Sequence, residues 1–169
     1  MGQQILGLVD AVQAAIEAEQ KAAAFYADAV TKTANPIGQK LFGQLSEFEE
    51  GHVRALSALK KTLLDGGEDV PYDGGELRIP TPAAMVGAAE PNRLSVMAIL
   101  ELAIETETKA YLRYRDLARQ VSHPRCRAMF ERLAAEERSH LDLMERSYDS
   151  LNDRGEWDWL GTPPDRAGC

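Results

Sequence analysis

The sequence predicts an all-α protein: an antiparallel four-helix bundle of two pseudo-symmetric helical hairpins joined by one long crossover. Three observations predict it. Four long stretches carry apolar residues at alternating steps of three and four, the spacing of a bundle-type helix face. A Gly- and Pro-rich stretch separates the second from the third. The first half of the chain also superposes on the second with one offset of 88 and no gaps. Ile16 falls on Ile104, Glu19 on Glu107, Tyr26 on Tyr114, Pro36 on Pro124, Phe42 on Phe130, Glu49 on Glu137 and His52 on His140. A repeat of only two units folds as a pseudo-two-fold domain, not as an open solenoid.

The first helix is expected from Gln3 to about Thr33. Its stripe is Ile5, Val9, Val12, Ile16, Ala23, Tyr26 and Val30, and the missing member between Ile16 and Ala23 is Glu19. Asn35-Pro36 then supplies an N-cap and a first helical residue. Helix two is expected to run to about Leu64 on Leu41, Leu45, Phe48, Leu56, Leu59 and Leu63, with His52 on this stripe and Glu49 beside it. So short a turn makes the two helices antiparallel neighbours.

Residues 65–92 hold Gly66, Gly67, Pro71, Gly74, Gly75, Pro80, Pro82, Gly87 and Pro91, and read as a linker with one helical turn around 83–86. Fully extended it spans about 90 Å. A 30-residue helix is about 45 Å long, so the linker can recross the whole bundle. Helix three is expected from Arg93 to Val121 on Met97, Leu100, Ile104, Tyr111, Tyr114 and Val121, with Glu107 filling the gap. Helix four starts near Ser122-His123-Pro124 and carries Cys126, Phe130, Leu133, Met144, Tyr148 and Leu151, with Glu137 and His140 in the gap of its stripe. The bundle thus occupies 1–151. Residues 152–169 form a tail that Trp157 and Trp159 would lay on the bundle or on a partner subunit.

The bulk numbers narrow the function. The chain has 169 residues, 44% hydrophobic and 27% charged, enough for one domain with a real core. A net charge of -8 disfavours nucleic acid and anionic membrane surfaces. The apolar runs are too short to span a bilayer, and the N-terminus lacks a signal-peptide pattern, so a cytoplasmic location is expected. Cys126 and Cys169 form no Cys-x-x-Cys and are expected as free thiols.

The chemistry lies in the stripe gaps. Glu49-x-x-His52 places two donors on one helix face, and Glu137-x-x-His140 repeats the pair. From Glu19 to Pro36 is 17 residues and from Pro36 to Glu49 is 13, and the second hairpin has the same counts. Allowing for the turn, both legs are roughly 20 Å at 1.5 Å per residue. Six groups, Glu19, Glu49, His52, Glu107, Glu137 and His140, should therefore meet in one layer at mid-bundle. Four buried carboxylates are costly as bare anions, and no Lys or Arg shares their stripes at that level. Two divalent cations would neutralise them. The set matches the ligands of di-iron and di-manganese carboxylate bundles. Oxygen-rich ligation with one nitrogen per metal suits iron or manganese better than zinc. Tyr26 and Tyr114, one heptad after Glu19 and Glu107, are read as hydrogen-bond donors to ligand carboxylates. Glu17, Glu47, Glu50, Glu105 and Glu136 are read as solvated. Glu50 and Glu136 are the nearest rivals as ligands, but the repeat pairs them with Arg138 and Phe48. His123, at a helix start without a Glu partner, is read as a surface or capping residue.

With Glu19-x6-Tyr26, Glu49-x-x-His52, Glu107-x6-Tyr114 and Glu137-x-x-His140, the chain resembles the ferritin-like superfamily, most of all the rubrerythrin-type di-iron domain. The resemblance spans residues 3 to about 150. It implies two iron ions, or manganese or a mixed Fe/Mn pair, held by those six residues, and reaction with O₂ or H₂O₂. The expected activity is a di-iron oxidoreductase of peroxidase or ferroxidase type. The alternatives are non-enzymatic iron storage, a monooxygenase of a hydrophobic substrate, and a structural bundle with a vestigial site. Two departures from the family pattern bear on this. Rubrerythrins that reduce peroxide carry a further Glu one turn after the third-helix ligand, where this chain has Ala110. They also carry a rubredoxin domain, so here electrons would come from a separate donor. A homodimer is the expected assembly.

Overall fold

The computed structural model describes residues 2–66, 72, 74, 75 and 89–157, with side chains from Gly7 onward. The helices are α1 (Gly2–Lys32), α2 (Pro36–Asp65), α3 (Arg93–Gln120) and α4 (Pro124–Arg154). α1 packs along α2 and α3 along α4, giving two hairpins. They meet through α1 against α3 and α2 against α4, so the chain crosses over between α2 and α3. The helical turn expected around 83–86 and Trp159 lie outside the described residues.

Local chemistry sets the element ends. Asn35 caps α2 by accepting the Ile37 N–H at 2.8 Å, and Pro36 takes a first-turn position where no donor is needed. Gly66 ends α2 in the left-handed conformation (φ 66°), its N–H closing on the Thr62 carbonyl at 3.0 Å.

Two apolar clusters fill the bundle. One holds Tyr26, Leu41, Phe42, Leu45, Leu100, Met144 and Leu151. The other holds Val12, Ile16, Leu56, Tyr114, Phe130 and Leu133. The internal repeat is visible in them: Tyr26 stacks on Phe42 and Tyr114 on Phe130, both at 6.3 Å between ring centres. On α1 the clusters end at Ile16 and resume at Ala22, and on α3 they end at Ala103 and resume at Ala110. The gap between them is a polar layer. The α3 face is turned slightly from the expected one. Val96, Leu100, Ala103, Glu107, Ala110 and Tyr114 are buried, while Met97, Ile104 and Tyr111 are half-buried on its flank.

Beyond α4 the chain turns back along the end of the bundle. The Glu90 N–H donates to the Gly155 carbonyl at 3.2 Å, and Trp157 packs edge-on against Phe42 at 6.1 Å. Trp157 is fully buried, and its indole N–H donates to Glu90 at 2.9 Å. The Thr33 hydroxyl and the Ala34 and Asn92 amides also donate to that carboxylate. Among the described residues, no helix is long and apolar enough to cross a membrane.

Candidate metal centre

Each of the four helices sends a carboxylate into the layer, and α2 and α4 add a histidine one turn further on. Glu19, Glu49, His52, Glu107, Glu137 and His140 are all at most 2% exposed. They form two clusters, Glu19–Glu49–His52–Glu137 and Glu49–Glu107–Glu137–His140, in each of which one ligand atom per residue lies within 4.8 Å of the others. Glu49 and Glu137 belong to both.

The atoms are aimed accordingly. His52 Nδ1 is 3.1 Å from Glu49 Oε2, 3.1 Å from Glu137 Oε1 and 3.9 Å from Glu19 Oε2. His140 Nδ1 is 3.4 Å from Glu137 Oε2, 3.6 Å from Glu107 Oε2 and 3.9 Å from Glu49 Oε1. Glu49 and Glu137 thus turn one oxygen toward each histidine, the geometry of bridging carboxylates. Glu19 and Glu107 each turn one oxygen inward and give the other to a tyrosine. Tyr114 donates to Glu19 Oε1, and Tyr26 donates to Glu107 Oε1.

The electrostatics show what the layer lacks. Burial, then the neighbouring Glu137, pushes Glu49 and Glu107 well above the usual carboxylate range. Burial alone would also raise Glu137, but the His140 and His52 imidazoles, 3.4 and 3.1 Å away, outweigh it and hold that carboxyl low. The imidazoles move the other way. Burial would lower His140, yet Glu107 and Glu137 raise it to about 9, and the carboxylates around His52 raise it likewise. Even so, Glu107 Oε2, both Glu137 oxygens and His140 Nδ1 find no well-formed hydrogen bond. Buried polar atoms are rarely left so. All four are among the atoms aimed at the shared centre, so the residues fit a pair of divalent cations.

One sequence expectation is corrected. Glu136 is not on a solvated face: it is 6% exposed and accepts a bond from His52 Nε2 at 3.0 Å. One cation also reaches the layer. Arg113, on α3, lies 3.3 Å from Glu19 Oε1. Its guanidinium arrives from a half-buried flank that the stripe pattern does not count. Sequence reasoning missed Tyr72 altogether. It sits in the aperiodic crossover, donates to Glu136 at 2.6 Å, and packs edge-on to His52 with ring centres 6.2 Å apart. Glu17, Glu47, Glu50, Glu105 and His123 are exposed, and Ala110 is buried beside the layer.

Residues 98–160 match the family model for Rubrerythrin, a span that takes in most of the second hairpin with Glu107, Glu137 and His140. With the two Glu/His clusters, this match supports a rubrerythrin-type, ferritin-like di-iron domain. Its two Glu/His clusters are of the kind such a di-iron site uses. A solved structure described as a hypothetical protein from Pyrococcus furiosus shares the fold of this chain. It has a TM-score of 0.69 at 23% identity, over 86% of this chain and 90% of its own. No curated protein matches the chain.

Proposed function

We propose that Glu19, Glu49, His52, Glu107, Glu137 and His140 hold two iron ions, with Glu49 and Glu137 shared between them. On this reading the protein is a di-iron oxidoreductase that reacts Fe²⁺ with O₂ or H₂O₂. The observation that carries it is the pair of four-residue clusters with those two carboxylates in common. Bound iron would supply the one-electron chemistry that these side chains lack.

The chain's own residues bind, orient and exclude. Tyr26 and Tyr114 fix the outer oxygens of Glu107 and Glu19, so that the inner oxygens keep their direction. The apolar clusters on either side close the layer to bulk water. An open cleft of about 530 Å³ lies beside α2, lined by Phe48, Gly51, Ala55, Tyr72 and Gly75. Phe48 packs on His140 and Tyr72 on His52, so two rings of the cleft wall stand between it and the histidines. Its size admits a diatomic or a peroxide with room to spare. Electrons would come from a separate donor, and we place the protein in the cytoplasm as a homodimer.

Anaerobic Fe²⁺ loading followed by peroxide tests the reading. About two irons per chain are expected, turning ferric on addition of oxidant. Two irons that remain ferrous would remove the redox activity and leave a storage protein. A large hollow oligomer by light scattering would point the same way.

A further inference from the structure

The two halves of the centre are related by the repeat, but their surroundings are not. Behind His52 stands Glu136, and behind His140 stands Phe48, its counterpart at the offset of 88. Glu136 is built into its place. Oε2 accepts from His52 Nε2 at 3.0 Å and from the Tyr72 hydroxyl at 2.6 Å. Oε1 accepts from the Gly75 amide at 2.9 Å and from Arg132 Nε at 3.0 Å. The crossover backbone comes in tightly to make these bonds. Gly74 is left-handed (φ 74°), and a Cβ there would collide with the Glu136 carboxylate and the Arg132 guanidinium. A Cβ on Gly75 would collide with the Phe48 ring. His140, by contrast, meets the Phe48 ring edge-on at 5.2 Å, and a phenyl ring offers no acceptor for an imidazole N–H. Arg113 is a second departure from the repeat, standing where the first hairpin has Phe25. With Tyr114 it ties down Glu19 Oε1, leaving Oε2 toward His52.

A histidine that gives its outer N–H to a carboxylate is fixed in the tautomer whose other nitrogen is free to ligate, and it becomes a more basic ligand. We propose that Glu136 and Tyr72 make the two metal positions unequal: the ion beside His52 binds first and is retained, while the ion beside His140 binds second and exchanges. The inference rests on the six-ligand reading above. Glu136 and Tyr72 are positioning residues; neither touches a metal in this arrangement. His140 must settle its own tautomer when an ion arrives, which lowers the apparent affinity of that half by the fraction of competent conformers.

The test is an anaerobic titration of the metal-free full chain with Co²⁺, followed by its ligand-field bands and by chelator competition, so that no turnover is needed. Wild type is expected to bind two ions in two steps at least about tenfold apart. Glu136→Phe copies the surroundings of His140 and should weaken the first step by about 10–100-fold, with the second little changed. Tyr72→Phe, on the crossover and outside the helices, should weaken the same step by less. Urea midpoints of the metal-free variants check folding, and Tyr72→Phe decides alone if Glu136→Phe does not fold. Two tight ions bound with equal affinity in wild type would overturn the inequality and leave the ligand set standing. Variants that weaken both steps alike, or neither, would overturn it too. A wild type that binds no Co²⁺ would overturn both readings together.

Discussion

Tyr26 donates its hydroxyl proton to Glu107, a carboxylate of the other hairpin, and Tyr114 donates in the same way to Glu19. Each half of the repeat therefore orients a carboxylate of its copy, and the layer is completed only when the hairpins dock. Both tyrosines are fully buried, and burial, followed by the facing glutamates, holds their phenols protonated well above the ordinary range. They serve as fixed donors at any physiological pH.

Tyr26→Phe and Tyr114→Phe should each lower metal affinity by about 10–100-fold, because the facing carboxylate loses its orienting donor. Isothermal titration with Mn²⁺ measures this. A cycle of Tyr26→Phe with Glu107→Gln should show coupling of about 0.5–3 kcal/mol in urea unfolding. Additive single effects would remove the hydrogen bond from the account.

Replacing Glu19 and Glu107 together by Gln should raise or preserve the stability of the metal-free protein, since two buried carboxylates that strain the layer are gone. The same double variant should lose the metal-dependent rise in melting temperature. In wild type that rise corresponds to about 2.7 kcal/mol at a metal concentration 100 times Kd. Thermal scans with and without Fe²⁺ under argon decide it. A metal-independent wild type would mark the layer as vestigial.

Glu90 gives a pH dependence away from the metal layer. Burial alone would raise its pKa, but hydrogen bonds from Thr33, Trp157, Asn92 and Ala34 outweigh it and lower the carboxyl below its ordinary value. A lowered folded-state pKa adds stability above the unfolded value of about 4.3 and loses it as the pH falls through the folded value. Glu90→Gln should therefore be less stable than wild type at pH 7. The difference should shrink on acidification below about pH 4.3, as read from melting temperatures of the two proteins side by side. A constant difference across that range would contradict the assignment.

Trp157 closes the end of the bundle where the crossover enters α3. Trp157→Ala should cost about 3–5 kcal/mol in urea unfolding. Gly38→Ala attacks the same contact from the other side, since a Cβ at Gly38 would meet Trp157 Cζ2 at 2.5 Å. Overpacking of this kind costs about 1–3 kcal/mol. Both variants, kept below their melting temperatures, should still bind two metal ions per chain, because neither residue reaches the polar layer. Loss of metal binding in a folded Gly38→Ala protein would show that the end of the bundle sets the layer's geometry.

The helices and their pairing were legible because a helical face repeats every three to four residues, and a short Asn-Pro turn leaves little choice but an antiparallel neighbour. The polar layer was legible for a second reason. Glu19, His52, Glu107, Glu137 and His140 interrupt apolar stripes, and the chain states the interruption twice at a fixed offset. Glu136 was misplaced by the general expectation that a helical Glu faces solvent. Alignment with Phe48 spoke only against a ligand role, and the mismatch is itself the sign that the two halves differ. Tyr72 left no periodic trace at all, since a crossover residue is positioned by what it lands on.

The amino-acid sequence by itself determined four helices, two hairpins, and six metal-ligand candidates at one height, because helical rise and period convert residue number into position along an axis. Only the tertiary structure decided which carboxylate each tyrosine reaches, that Arg113 touches Glu19, and that Tyr72, Gly75 and Arg132 gather on Glu136 behind His52. Those contacts join residues from different helices and from an aperiodic loop. Their geometry comes from how the hairpins dock and where the crossover lies, and no single helical face encodes either.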